Sequence, residues 1–188
     1  IEDNSIKKTI YNTVSKSFPN DHRAYNNLAG IYIKEKNINQ AIDMLGKASK
    51  YNVNAAEVNE NKGIIAALEG DYDKAAALYS SSNASDINKG ILAIKTGNYS
   101  SATAKLKGNG YNATLAKLMN GNPVATTDNT AEGNYLNAIV YARTGNYDKC
   151  IDYLSKAIQM NANYKNEAVK DFEFKNYKDK VDFQALVN

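Results

Sequence analysis

A Gly-Asn-Tyr or Gly-Asp-Tyr triplet recurs along the chain, each copy embedded in a longer pattern. LEGDYDKAAALY spans 68–79, KTGNYSSATAKL spans 95–106 and RTGNYDKCIDYL spans 143–154. KEKNINQAIDML at 34–45 is a fourth version, with Lys36 in the glycine slot. Five residues after the Gly or Lys comes a small residue: Ala41, Ala75, Ala102 or Cys150. Four later comes a larger one: Leu45, Tyr79, Leu106 or Leu154. Glycine enters the left-handed conformation at little cost and so ends a helix. The Asp or Asn that follows caps the next one. The small residue lets two helices approach, and the larger one lies a turn further along the same face. Upstream, apolar residues recur at helical spacing: Tyr25, Leu28, Ala29, Tyr32; then Ile87, Ile91, Ile94; then Tyr135, Ala138, Ile139, Tyr141, Ala142. Each unit reads as helix, tight turn, helix.

The spacing from Ala41 to Ala75 is 34 residues, and this is where a family comes into view. The chain resembles the tetratricopeptide repeat (TPR) proteins, whose repeats share that period and a similar order of aromatic, Leu-Gly, Tyr and Ala positions. The best copy is Tyr25, Leu28, Ala29, Tyr32, Ala41, Leu45 and Ala48. Pro19 fits the proline that closes a preceding repeat. The resemblance implies an all-α fold, a TPR-like α-solenoid in which helical hairpins wind into a right-handed superhelix. The sequence divides as one array over 1–188. Residues 5–17 are the second helix of a truncated repeat. Repeats follow at 22–52, 56–82, 84–107, 111–130 (degenerate) and 131–161, and a capping segment closes the array at 164–188.

The central repeats are short. Gly70 to Gly97 is 27 residues, and the next two glycine intervals, to Gly121 and Gly145, are 24 each. That is too little for two full helices and their turns, so clipped hairpins are expected, with tighter curvature. In NGNPVATTDNTAEGN the second helix is barely legible. Pro123 suits a helical first turn, but Val-Ala-Thr-Thr-Asp forms helix poorly. The tail, AVKDFEFKNYKDKVDFQALVN, resembles the aromatic segment that closes such arrays, where a terminal repeat needs its apolar face covered. The shortened repeats and this tail are similar to TPR segments of large cell-envelope proteins of Gram-negative anaerobes. That likeness implies a periplasmic or outer-membrane-associated piece of a longer bacterial protein, and leaves the cytoplasm open.

Few residues suggest chemistry. Cys150 is the only cysteine, which rules out an internal disulfide. It occupies a slot that holds Ala in three other units, so packing explains it better than nucleophilic catalysis. His22 is the only histidine and has no CxxC or HExxH company, so no metal and no cofactor is expected. Glu57 and Glu60 sit in the first turns of a helix, where carboxylates favour the dipole's positive end. The glycine-rich pieces at 108–110 and 120–122 lack the Lys-Ser/Thr of a phosphate loop and read as turns. Asn-x-Ser/Thr sequons at Asn83, Asn98 and Asn112 follow from an Asn-rich composition that suits many helix ends. Net charge is +3 with acids and bases interspersed, unlike the basic stripe of a nucleic-acid binder. No apolar run approaches the roughly 20 residues of a transmembrane helix.

A binding scaffold, not an enzyme, is therefore the expectation, with a protein or peptide partner. The TPR resemblance implies a concave face lined by the first helix of each hairpin. Carried over by position, the first repeat offers Arg23, Asn26, Gly30, Ile33 and Lys34. The second offers Glu57, Glu60, Ile64, Ala67 and Leu68. The clipped repeats offer Ile87, Ile91, Ile94 and Lys95, then Tyr111, Leu115, Leu118 and Met119. The last offers Glu132, Tyr135, Ile139, Ala142 and Arg143. Tight curvature would instead close this groove into core. The Tyr surplus, 14 against 4 Phe and no Trp, also suits a glycan or small-ligand module. Against that, Tyr32, Tyr72, Tyr99, Tyr141 and Tyr147 fall at framework positions of the repeat.

Overall fold

A computed structural model describes residues 3–188. Every regular element among them is helical. In chain order these are α1 (Asn4–Ser17), α2 (His22–Lys34), α3 (Ile38–Tyr51), α4 (Ala56–Leu68), α5 (Tyr72–Ser81), α6 (Asp86–Lys95), α7 (Tyr99–Lys105), α8 (Tyr111–Met119), α9 (Ala131–Arg143), α10 (Tyr147–Met160), α11 (Tyr164–Lys170) and α12 (Val181–Val187), with a single 3-10 turn at Phe172–Phe174. The chain forms two compact units that meet in sequence between Leu92 and Ala93, within α6.

The turns behave as the glycine pattern requires. Gly70, Gly97, Gly121 and Gly145 all take positive φ, between 74° and 85°. Lys36, in the same slot, takes φ 59° despite its side chain. In each turn the next residue's amide reaches back five residues, as Asp71 N–H does to the Ala66 carbonyl at 2.9 Å. That bond closes a helix end that would otherwise leave its last carbonyls unpaired. The side chains of Asp71, Asn98 and Asn146 then accept from backbone amides of the following helix. Asn37 makes no such bond; its amide group donates to the Gln40 side-chain oxygen instead.

In the first unit α2 packs on α3 and α4 on α5. Ala41, Leu45 and Ala48 of α3 are buried with Ala29 of α2 and with Val58 and Ile65 of α4. Ala75 and Tyr79 of α5 are buried with Ala66 and Leu92. Helix α1 contacts α2 but has no buried residue of its own. In the second unit α9 packs on α10, and Cys150 lies in a core with Ala138, Leu154, Ala168, Phe174, Tyr177 and Phe183. The small-residue slot is thus fully buried whether it holds Ala41, Ala75, Ala102 or Cys150.

The clipped helices are visible in their lengths. α5 and α6 have 10 residues, α8 has 9 and α7 has 7, against 13 or 14 for α2, α3, α9 and α10. Between α8 and α9 no helix forms, and Pro123 starts none. Residues 122–129 run as a strap without regular structure. Counting five from Gly121 leads to Thr126, and it is buried like the small residues of the other hairpins. Its backbone is held by Asn137 of α9. Thr126 N–H donates to Asn137 Oδ1 at 2.7 Å, and Asn137 Nδ2 donates to the Thr126 carbonyl at 3.1 Å. Its hydroxyl donates to the Asn109 carbonyl at 2.7 Å, where Thr127 N–H also ends. Buried backbone groups that a helix would have satisfied internally are satisfied here by one amide side chain and one loop carbonyl.

Candidate functional site

In the first unit, one open cleft gathers residues from three helices. α2 contributes Asn26, Asn27, Gly30, Ile31 and Lys34; α1 contributes Asn4, Lys7 and Tyr11; α4 contributes Asn61. Asn26, Gly30 and Lys34 are three of the residues expected on the concave face, and the structure brings them together along one side of α2. The cleft holds about 200 Å³. Its lining has two ammonium groups, four Asn amides and no carboxylate. An Asn amide both donates and accepts, as a peptide group does. A β carbon added at Gly30 would touch only the tip of Asn61, at 3.9 Å, so the α2 backbone is approachable there.

Other expected residues are spent on joining hairpins. Asn61 Nδ2 of α4 donates to Asn26 Oδ1 of α2 at 2.8 Å. One hairpin on, Asn88 Nδ2 of α6 donates to Glu60 Oε1 of α4 at 2.7 Å. Asn26 and Glu60 both stand fifteen residues before the small-residue slot, and Asn61 and Asn88 both stand fourteen before it. The same register thus supplies acceptor and donor twice. Glu60 also accepts from Ser85 N–H at 3.0 Å, just ahead of α6. Burial pushes the Glu60 carboxyl up, but the bonds from Ser85 and Asn88 win and hold it below its ordinary value. Glu57 pairs with His22 at 2.9 Å. Arg23 is occupied by Asp21, which caps α2 and is held at about 2 by the guanidinium hydrogen bonds. Ile33 and Ile64 pack against cores, while Leu68 is exposed.

In the second unit the tail takes the α9 face. The Tyr135 ring stacks on Tyr164 at 4.5 Å, and its hydroxyl donates to Asp171 at 3.0 Å. Burial, with the Asp171 charge adding to it, raises the Tyr135 phenol well above its ordinary range. Arg143 Nε donates to Glu173 at 2.8 Å, and a second guanidinium nitrogen pairs with the other Glu173 oxygen. Tyr135 and Arg143 are therefore engaged within the chain. Leu118 is core, only 2% exposed, so it offers nothing to a partner. Tyr111, Leu115 and Ile139 are half-buried against that same core. Ile94 packs on the core around Ala102, and Ile91 is half-buried. Ile87, Lys95 and Met119 remain exposed.

Sequence reasoning missed Asn61, Tyr11 and Lys7. A signal for Asn61 was present, since Asn27, Asn61, Asn88 and Asn112 all stand fourteen residues before a small-residue slot. Among the described residues no group of three or more His, Cys, Asp or Glu is placed to hold a metal. No helix among them is long and apolar enough to cross a membrane.

Helical hairpins with a buried small-residue slot, a positive-φ turn and bonds linking successive first helices define a helical-repeat scaffold. The tetratricopeptide repeat family model matches residues 31–86 and again residues 131–164. The chain carries tetratricopeptide repeats over these two stretches. Among solved structures it is similar to PilW, described as a widely conserved type IV pilus biogenesis factor. The identity is 17% over 95% of this chain and 88% of that one, with a TM-score of 0.47. It is also similar to YrrB, described as a TPR protein with an unusual peptide-binding site. There the identity is 13% over 94% of this chain and 88% of that one, with a TM-score of 0.45. No curated protein gave a match.

Proposed function

We propose that this chain is a non-enzymatic scaffold that holds a peptide or helix of a partner protein on the face of its first helices, and that the α1–α2–α4 cleft is the seat in the first unit. The observation that carries this reading is the meeting of Asn26, Gly30 and Lys34 with Asn61 in one open cleft. Amides suited to a peptide backbone, an approachable stretch of helix at Gly30 and the Lys34 ammonium favour a segment bearing acidic side chains. In the second unit the same face holds the chain's own Asp171 and Glu173, which supports acidic segments as the preferred kind of ligand. The glycan alternative is weaker. Tyr25 stacks on Tyr51 and Tyr141 on Tyr153, so these rings are used in packing. The cell envelope is the compartment we propose, on the resemblance of the shortened repeats and tail.

The test is a photo-crosslinking residue placed at Gly30, with a control at Lys47 on α3, in source-cell extracts. Protein adducts at residue 30 that vanish with Lys34→Glu are expected. Adducts at residue 47 only, or adducts indifferent to Lys34→Glu, would overturn the assignment.

A further inference from the structure

Helix α1 differs from the second helices of the full hairpins. It has 14 residues, as α3 and α10 do, yet it buries none. By contrast α3 buries Ala41, Leu45 and Ala48, and α10 buries Cys150, Leu154, Ala157 and Ile158. The 34-residue period carries Met44 back to Ile10. Met44, three residues after its slot, packs half-buried on the core of its hairpin. Tyr153, also three after its slot, stacks on Tyr141 of its own first helix at 5.4 Å. Ile10 is 52% exposed. The side of α1 that a first helix covers in the other hairpins is open.

Helix α2 is open on the same side. At the two joints described above, an Asn fourteen residues before its slot, Asn61 or Asn88, donates to the preceding first helix. The acceptor there, Asn26 or Glu60, stands fifteen before its own slot. Asn27 has the donor register on α2. It is exposed, lines the cleft beside Asn4, Lys7 and Tyr11 of α1, and makes no side-chain hydrogen bond among the described residues. A helix beside α2 with an acceptor facing Asn27 would repeat the Asn61–Asn26 joint. Lys7 holds the slot register on α1, 34 residues before Ala41. The distance between packed helices follows the side chains at their contact. A lysine keeps a neighbour farther off than the Ala or Cys of the closed hairpins, so the seat suits a helix that docks rather than one packed in as core.

Charge selects the acceptor. A carboxylate accepts more strongly than a neutral amide, Glu60 already plays that part at the α4–α6 joint, and Lys34 lies exposed in the same cleft as Asn27. We propose that the occupant of this cleft is an amphipathic helix of a partner protein, set beside α2 and against α1. Its glutamate or aspartate accepts from Asn27, and an apolar residue six positions later rests on Ile10. The spacing is that of Tyr141, which stacks on Tyr153 and stands six after Tyr135 in the acceptor register. This rests on the reading of the cleft as a peptide seat and narrows it from any acidic segment to a helix of fixed register.

The probe is a synthetic peptide of residues 21–35 carrying Asn26→Glu, which sets a glutamate six residues before Tyr32. So short a peptide is marginally helical alone, so binding by fluorescence anisotropy is read together with the helix gained in circular dichroism. Saturable one-to-one binding to the whole chain, with helix gained, is expected. Asn27→Asp in the chain should weaken it about tenfold, and a peptide carrying Asn26→Lys should prefer that variant to the wild type. Ile10→Asp should also weaken binding about tenfold. Both side chains are exposed, so both variants should keep the wild-type unfolding midpoint. No binding, or binding unchanged in Asn27→Asp and Ile10→Asp, would overturn the proposal. Equal, Lys34-dependent binding of a peptide interrupted by Ala29→Pro would overturn it too, while leaving the seat to an extended segment. Dimerisation of the chain alone in sedimentation, abolished by Ile10→Asp, would name a second copy instead and overturn it as well. The peptide-seat reading is judged separately, by the crosslinks at residue 30.

Discussion

Gly63 of α4 lies so close to Tyr79 of α5 that a β carbon on it would fall 2.5 Å from the ring. Tyr79 is itself a buried member of the core, only 4% exposed, so its ring has nowhere to retreat. Gly63→Ala would gain about 1 kcal/mol of helix propensity but, with so close a contact to a buried ring, incur an overpacking cost at the upper end of the usual range, about 2–3 kcal/mol. A net loss of about 1–2 kcal/mol is expected in urea unfolding, relieved by adding Tyr79→Leu. A Gly63→Ala protein as stable as the wild type would show that the two helices can part freely.

The strap gives a sharper case. Asn137 is 2% exposed and makes both hydrogen bonds that hold the Thr126 backbone. Asn137→Ala leaves a buried N–H and a buried carbonyl unpaired, at about 1–3 kcal/mol each. Amide hydrogen exchange should show Thr126 losing protection by at least tenfold. The α2–α3 hairpin, in the other unit, should keep its own.

Cys150 is fully buried, and burial alone pushes its thiol up to about 12. Thiol reagents attack the thiolate, so no labelling is expected at pH 8 in the native protein. Deleting residues 164–188 removes Ala168, Phe174, Tyr177 and Phe183 from around it and should expose it to labelling. Cys150→Ala restores the residue of the other repeats and should cost no more than about 1.5 kcal/mol. Rapid labelling of the intact chain would contradict the buried assignment.

Acid should loosen the joints between hairpins. A hydrogen bond from its own backbone N–H, and then one from His22, hold the Glu57 carboxyl below its ordinary value, as the bonds from Ser85 and Asn88 do for Glu60 against its burial. Hydrogen bonding to Arg143 does the same for Glu173. A carboxyl with a lowered folded-state value binds fewer protons folded than unfolded, so its contribution is present above the unfolded value and fades as pH falls through the folded one. Stability should therefore drop between about pH 5 and pH 3. Glu60→Gln keeps an acceptor but not the charge, so it should cost about 1 kcal/mol at pH 7 and nothing at pH 3. An unchanged acid limb in that variant would remove Glu60 from the account.

The hairpins were legible because their signals are local. A glycine with positive φ, a capping Asp or Asn and a small residue five on act within a few residues of each other. Even Lys36 could be placed, since its neighbours fixed the turn around it. The strap was not legible, because it depends on Asn137, eleven residues away, whose two hydrogen bonds replace a helix's own. The proposed binding face was legible only as geometry. Position on α2 predicted that Asn26, Gly30 and Lys34 share a side, and they do. Whether a facing residue is free or already bonded is a matter of contacts across hairpins, as Glu60, Tyr135 and Arg143 show.

The strap also bears on how such a chain tolerates change in its length. Thr126 reaches the slot of the lost helix with the same count from the turn glycine as Ala41, Ala75, Ala102 and Cys150 have from theirs. A deletion that removes most of a helix therefore need not shift the hairpin that follows, provided one inward residue and one amide to hold it survive. Repeat arrays built this way can shed or regain helical turns one hairpin at a time, each intermediate length remaining a folded protein on which selection can act.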